Sequence, residues 1–214
     1  MTEFFLISYP IFAKRNETLY TDERRDLNMK TEQQYFHEGL PIKSYMDQMK
    51  VHKDESFNVY QNFKLPYDEN FISLLSERRP HILVITEDWC GDAMMNNAVL
   101  RQIAERANIE VRAVLRDQNI ELIDRYLTNG GRSIPIYILL DHQGNVIGKW
   151  GPRAPRLQEY VVKRMSELPN KDDPAFAEKQ QALFSSITRE NATNEQFWGW
   201  VYEDISRALI LALS

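Results

Sequence analysis

The chain has 214 residues, 43% of them hydrophobic, 11% aromatic and 27% charged, which supplies a packed core and excludes disordered, collagen-like or coiled-coil compositions. A net charge of -5 and a pI near 5.5 disfavour nucleic acid and anionic lipid as partners, because both demand a basic face. The single cysteine, Cys90, rules out an internal disulfide framework and any Cys-rich metal site, so no resident metal or cofactor is expected.

No run reaches the ~20 apolar residues of a membrane span. The apolar stretch from Phe4 to Phe12 follows Glu3 rather than a basic region and contains Pro10, unlike a signal peptide. A cytoplasmic protein without membrane contact is therefore expected. Residues 1–28 carry neither helical nor strand periodicity, whereas a well-formed beginning sits at Met29. There Thr31 and Gln34 have capping-box spacing, and Glu23-Arg24-Arg25 is encodable as a purine-rich, bacterial ribosome-binding sequence three codons upstream. Residues 1–28 are read as translated leader; the alternative is a flexible extension.

Residues 29–79 form an N-terminal helical segment. Gly39 and Pro41 punctuate its first helix, Ile42, Tyr45, Met46 and Met49 make the apolar stripe of a second, and a further short helix spans Glu69 to Ser76. The core, residues 80–168, opens with Ile82-Leu83-Val84-Ile85, a continuous apolar run of the kind buried on both faces of a sheet. Next come Thr86 to Ala93 and a helix with Met95, Val99 and Ile103 on its apolar face and Asn96, Arg101, Gln102 and Glu105 opposite. Val111 to Leu115 is a second strand. Asn119 is expected to cap a helix containing Ile120, Ile123 and Leu127, which Gly130-Gly131 ends. Ile136 to Leu140 and Val146 to Trp150 are strands joined by the hairpin turn Asp141 to Asn145, and Pro155 to Leu168 is an amphipathic helix. The fold class is α/β: a mixed sheet, parallel β-α-β and then an antiparallel hairpin, flanked by helices. Residues 169–214 begin with the polar hinge Pro169 to Pro174 and continue as a helical extension. Its apolar positions, Phe184 and Ile187, then Phe197, Trp198, Trp200, Val201, Ile205, Leu209 and Leu213, are read as packing on the domain rather than as a partner-binding face.

Cys90 stands where a strand turns into a helix, and unpaired N–H groups in a helix's first turn favour the thiolate, which is the nucleophile. Asp92 fits a first-turn carboxylate that caps the helix, or alternatively one that handles a proton; Glu87 and Asp88 read as exposed turn residues. His37, His52, His81 and His142 are scattered without a metal-binding pattern and read as surface or loop residues. Gly144, Gly148 and Gly151 lack phosphate-loop spacing.

On the strand Ile82 to Ile85, the Trp89-Cys90-Gly91 turn, the strand ending near Asp117 and the Ser133-Ile134-Pro135 segment, residues from about His81 to Leu168 resemble the thioredoxin superfamily. The resemblance implies a cis Pro135 facing the sulfur, a groove lined by Ser133, Ile134, Pro135 and Gly151, and a backbone at Ile134 offered to a bound peptide. Asp92 and Ala93 replace the proline and resolving cysteine of the Trp-Cys-Gly-Pro-Cys motif, and Val84 replaces the buried aspartate six residues before the nucleophile. What this leaves is monothiol exchange: Cys90 attacks a protein mixed disulfide and an external low-molecular-weight thiol, as co-substrate, resolves it. Trp89 and Gly91 would shape the turn, and Trp89 would shield the sulfur. The alternatives are a non-catalytic module that binds a peptide segment of a client protein, and a thiol-based redox sensor.

Overall fold

In this computed structural model the structure describes residues 29–214; the leader expectation for residues 1–28 lies outside them. The first helix, α1 (Glu32–Glu38), starts as its sequence dictates. The Thr31 hydroxyl accepts from the Gln34 amide while the Gln34 side chain accepts from the Thr31 amide, a reciprocal cap that satisfies two orphan donors. A short strand follows that the sequence reading did not anticipate, β1 (Leu40–Pro41), which pairs antiparallel with β3 (Val111–Leu115). Two residues carry no periodicity to detect. Next come α2 (Ile42–Gln48), α3 (Lys53–Asn62) and α4 (Glu69–Arg78).

The central strand β2 (His81–Thr86) runs parallel to β3 and antiparallel to β4 (Ile136–Leu140), and β4 pairs antiparallel with β5 (Val146–Trp150). The order is β1-β3-β2-β4-β5, a mixed five-stranded sheet. Successive residues of β2 serve opposite faces: Ile82 and Val84 enter one core with α2 to α5 and the C-terminal helix, while Leu83 and Ile85 enter the other with Tyr35 and Phe36 of α1. Covering both faces explains why β2 reads as an unbroken apolar run. His81, expected as a surface or loop residue, opens β2 with its ring stacked 4.5 Å from that of Phe36.

The helix after β2, α5 (Gly91–Ala107), departs from its expected amphipathicity. Asn96, Asn97 and Arg101 are buried along with its apolar residues, because α3 and the C-terminal helices cover the side away from the sheet. The polar side chains there make specific bonds: Gln102 Nε2 donates to the Phe63 carbonyl at 2.9 Å, and the Arg101 guanidinium lies 4.1 Å from the Tyr60 ring centroid.

The helix expected after Asn119 is shorter than its pattern, α6 (Ile120–Ile123). Asn119 does not cap it; its side chain donates to the Leu115 carbonyl at 2.7 Å. Thr128 and Gly131 then exchange two backbone hydrogen bonds, so the chain turns before Gly130-Gly131 can end a helix, and Leu127 is left exposed. After β5 come α7 (Pro155–Ser166), α8 (Phe176–Thr193) and α9 (Glu195–Leu213), with Asn194 capping α9. The α9 positions Phe197, Trp198, Val201, Ile205 and Leu209 are buried in the main core, as the packed reading requires. Phe184 is exposed instead of core-facing; Leu183 and Ile187 form the buried stripe of α8.

Candidate functional site

Four segments meet at the N-terminus of α5. Cys90 is its N-cap residue, in extended conformation after the turn that ends β2, so the sulfur sits where the backbone N–H groups of Asp92 and Ala93 point. The sulfur is half-buried against the second core, and its S–H donates to the Ile134 carbonyl at 3.5 Å. The Ile134–Pro135 bond is cis, as the resemblance implies. Gly151, at φ +117°, brings the end of β5 against Pro135 so closely that a Cβ there would lie 2.2 Å from the Pro135 carbonyl oxygen. Cys90, Ile134, Pro135 and Gly151 therefore form one contiguous edge, with Ser133 half-buried just before them.

Trp89, next to Cys90 in the chain, is 45% exposed and presents an aromatic surface there. The Arg116 guanidinium lies 4.7 Å from its ring centroid and reaches the Arg132 carbonyl, tying the Trp89 turn to the chain before Ser133. Ala93 is fully buried.

The neighbouring carboxylates are not exposed turn residues. Glu87 is buried and accepts from the Asp117 amide at 2.8 Å; Asp88 is half-buried and accepts from the amides of Lys50 and Val51 at 2.7 and 3.1 Å. Both staple the turn to adjoining loops. Burial raises the Glu87 carboxyl above its usual range, and the Asp117 N–H opposes this only in part. Asp92 forms an ion pair with Arg153, whose Nε lies 3.2 and 3.1 Å from its two oxygens.

Burial is also the main force on Cys90, pushing the thiol up to about 11. The Asp92 carboxylate adds to the rise, while the N–H groups of Ala93 and Asp92 and the Arg153 charge oppose it without prevailing. Val84, in the place of the family's buried aspartate, pairs across the sheet with Tyr137, whose hydroxyl donates to Asn97 Oδ1 at 2.8 Å; the polar groups buried here are neutral. Among the described residues no group of three His, Cys, Asp or Glu side chains could hold a metal ion, and no helix is long and apolar enough to cross a membrane.

Sequence reasoning missed Arg153, Thr188 and Asn191. Arg153 follows a Gly-Pro break with no periodicity to mark it. Thr188 and Asn191 lie on α8, about a hundred residues from the turn they touch, where Asn191 Nδ2 is 3.3 Å from the Gly91 carbonyl.

A parallel β-α-β unit continued by an antiparallel hairpin, with a cysteine at the helix start opposite a cis-proline, defines a thioredoxin-like α/β protein. The family model described as thioredoxin matches residues 39–170, and the chain belongs to that family. This match begins well before His81 and takes in β1 and α2 to α4. No curated protein matches the chain. Among solved structures, a protein of unknown function from Pseudomonas aeruginosa is 21% identical, with a TM-score of 0.56 over 84% of this chain and 99% of its own. An HIV epitope scaffold is 20% identical, with a TM-score of 0.55 over 82% of this chain and 98% of its own. At these identities the likeness is one of fold.

Proposed function

We propose that this protein is a thioredoxin-fold module that binds an extended segment of a client protein along the edge formed by Ser133, Ile134, Pro135 and Gly151, with Cys90 held as a neutral thiol at rest. The observation that carries this reading is the setting of the sulfur. Burial that pushes the thiol up to about 11 keeps it protonated at neutral pH, and only the thiolate attacks. The Ile134 carbonyl, now taken up by the S–H, is the backbone group an incoming strand would use. The exposed Trp89 gives that strand an apolar platform.

Monothiol exchange is the second reading, favoured by the sulfur's place at the N-terminus of a 17-residue helix with two backbone N–H groups directed at it. In that reaction the Cys90 thiolate attacks the small-molecule sulfur of a protein mixed disulfide, and the protein thiolate leaves and takes up a proton. A second low-molecular-weight thiolate then attacks the small-molecule sulfur held on Cys90, releasing a small disulfide and regenerating Cys90. A peroxide sensor needs an exposed, acidic thiol, whereas Cys90 is half-buried and burial pushes its thiol up.

The pH dependence of Cys90 alkylation by iodoacetamide, with mass spectrometry after incubation with glutathione disulfide, separates the two. A thiol titrating well above ~8.5 that forms no glutathione adduct is expected for the binding module. A thiol titrating near 7 with a trapped adduct would replace that reading with exchange.

A further inference from the structure

The carboxylate beside the thiol is held by more groups than a helix cap requires. Asp92 is the second residue of α5, where the helix dipole and first-turn N–H groups already favour a negative charge. Yet its side chain, only 12% exposed, is gripped from two distant parts of the chain. Arg153, just after cis-Pro152, places Nε within 3.2 Å of both oxygens and Nη2 2.5 Å from Oδ2. Arg153 is itself fixed: its Nη1 donates to Gln158, and the Pro152 carbonyl before it accepts from Asn96 Nδ2 at 3.1 Å, one turn along α5 from Asp92. From α8 the buried Asn191 brings Nδ2 to 3.3 Å from Asp92 Oδ1, and its own carbonyl accepts from Trp198 Nε1 at 2.8 Å.

We propose that Arg153 is a positioning residue of the Cys90 site: it holds the Asp92 carboxylate as a neutralised pair at the start of α5 and so governs how readily Cys90 gives up its proton. The inference rests on Cys90 being the functional thiol of the proposed module. The other groups around the sulfur cannot supply the missing positive charge. On its own turn lie Glu87 and Asp88, both anionic when ionised and both engaged by backbone amides; from α2 and β4 come the phenols of Tyr45 and Tyr137, which burial keeps neutral. Arg153 is the cation among the charges acting on the thiol, and it works against Asp92 there.

The test is the second-order rate of iodoacetamide alkylation of Cys90 across pH in the full chain, with thermal melts as the check on folding. Asp92→Asn removes the like charge and keeps a side-chain oxygen for Arg153 and Asn191, so its rate at pH 8 is expected to rise at least threefold. Arg153→Gln leaves Asp92 without its cation, and the rate is expected to fall at least threefold. Arg153→Lys restores the charge and returns the rate to within twofold of the parent. In the Asp92→Asn background, Arg153→Gln is expected to lower the rate by a smaller factor than in the parent, because only the direct attraction between its charge and the thiolate is then lost. An unchanged or slower Asp92→Asn variant would overturn the proposal, and this variant decides alone if Arg153→Gln does not fold. A Lys variant as slow as the Gln variant, or an Arg153 effect undiminished by the loss of Asp92, would do the same. Alkylation involves no client, so this outcome is independent of whether the groove binds a polypeptide.

Discussion

Replacing Gly91 by alanine tests whether the C-terminal helices belong to the Cys90 turn. A Cβ at Gly91 would lie 2.5 Å from Thr188 Oγ1, 3.0 Å from its Cγ2 and 3.1 Å from its Cβ. Rotating the threonine relieves the first two contacts only by exchanging one γ atom for another, and its Cβ moves only with α8. Overpacking of this kind costs about 1–3 kcal/mol. The lower backbone entropy of alanine returns part of the ~0.5–1 kcal/mol gained in a helix interior, since Gly91 lies at the first position of α5. The net expectation is a loss of about 1–2 kcal/mol, or a fall in melting temperature of roughly 2–8 °C for a domain of this size. Thr188→Ala removes the hydroxyl and the methyl, so the double variant should recover most of the loss. Urea and thermal unfolding of the parent, both single variants and the double give the coupling, expected at about 1–2 kcal/mol with rescuing sign. A Gly91→Ala protein as stable as the parent, or a double variant no better than the sum of the singles, would refute the contact as the cause.

Gly151→Ala should be far more damaging, because its Cβ meets the Pro135 carbonyl at 2.2 Å from a φ of +117°; strain of ~1–3 kcal/mol adds to a clash with backbone, and poor recovery of folded protein on expression is the readout. Trp198→Phe strips the buried Asn191 carbonyl of its 2.8 Å donor and is expected to lower stability by about 1–3 kcal/mol in urea unfolding. The Glu87 carboxyl is raised in the folded protein, chiefly by burial, so the folded state binds its proton more tightly than the unfolded chain does. Its contribution to stability is therefore fullest below the unfolded value near 4.5 and is lost as pH rises through the folded one. Glu87→Gln keeps an acceptor for the Asp117 amide, so it should raise the melting temperature at pH 7 and lose that advantage near pH 4; an equal effect at both pH values would contradict the assignment.

The sequence by itself determined four of the sheet's five strands and the place of the sulfur. The strands that became β2 to β5 were legible because each is a local signal: apolar runs of strand length, a turn-rich hairpin at Asp141 to Asn145, and a cysteine between strand and helix. The reciprocal cap of Thr31 and Gln34 was legible for the same reason, since three residues contain the whole motif. The failures involve contacts across the chain. Asn96 and Arg101 satisfy the spacing of a solvent face and are buried because α3 and α9 lie over them, while Glu87 and Asp88 look like turn residues until the amides of Asp117, Lys50 and Val51 reach them.

The charge state of Cys90 belongs wholly to the tertiary structure. Its sequence neighbours pull in opposite directions: the helix start favours the thiolate and Asp92 disfavours it. Only three-dimensional packing set the burial that decides the sign, and only it brought Arg153 and Asn191 to Asp92 from 61 and 99 residues away. Periodicity reports what one element repeats along itself, whereas desolvation and ion pairing depend on which elements close over a site.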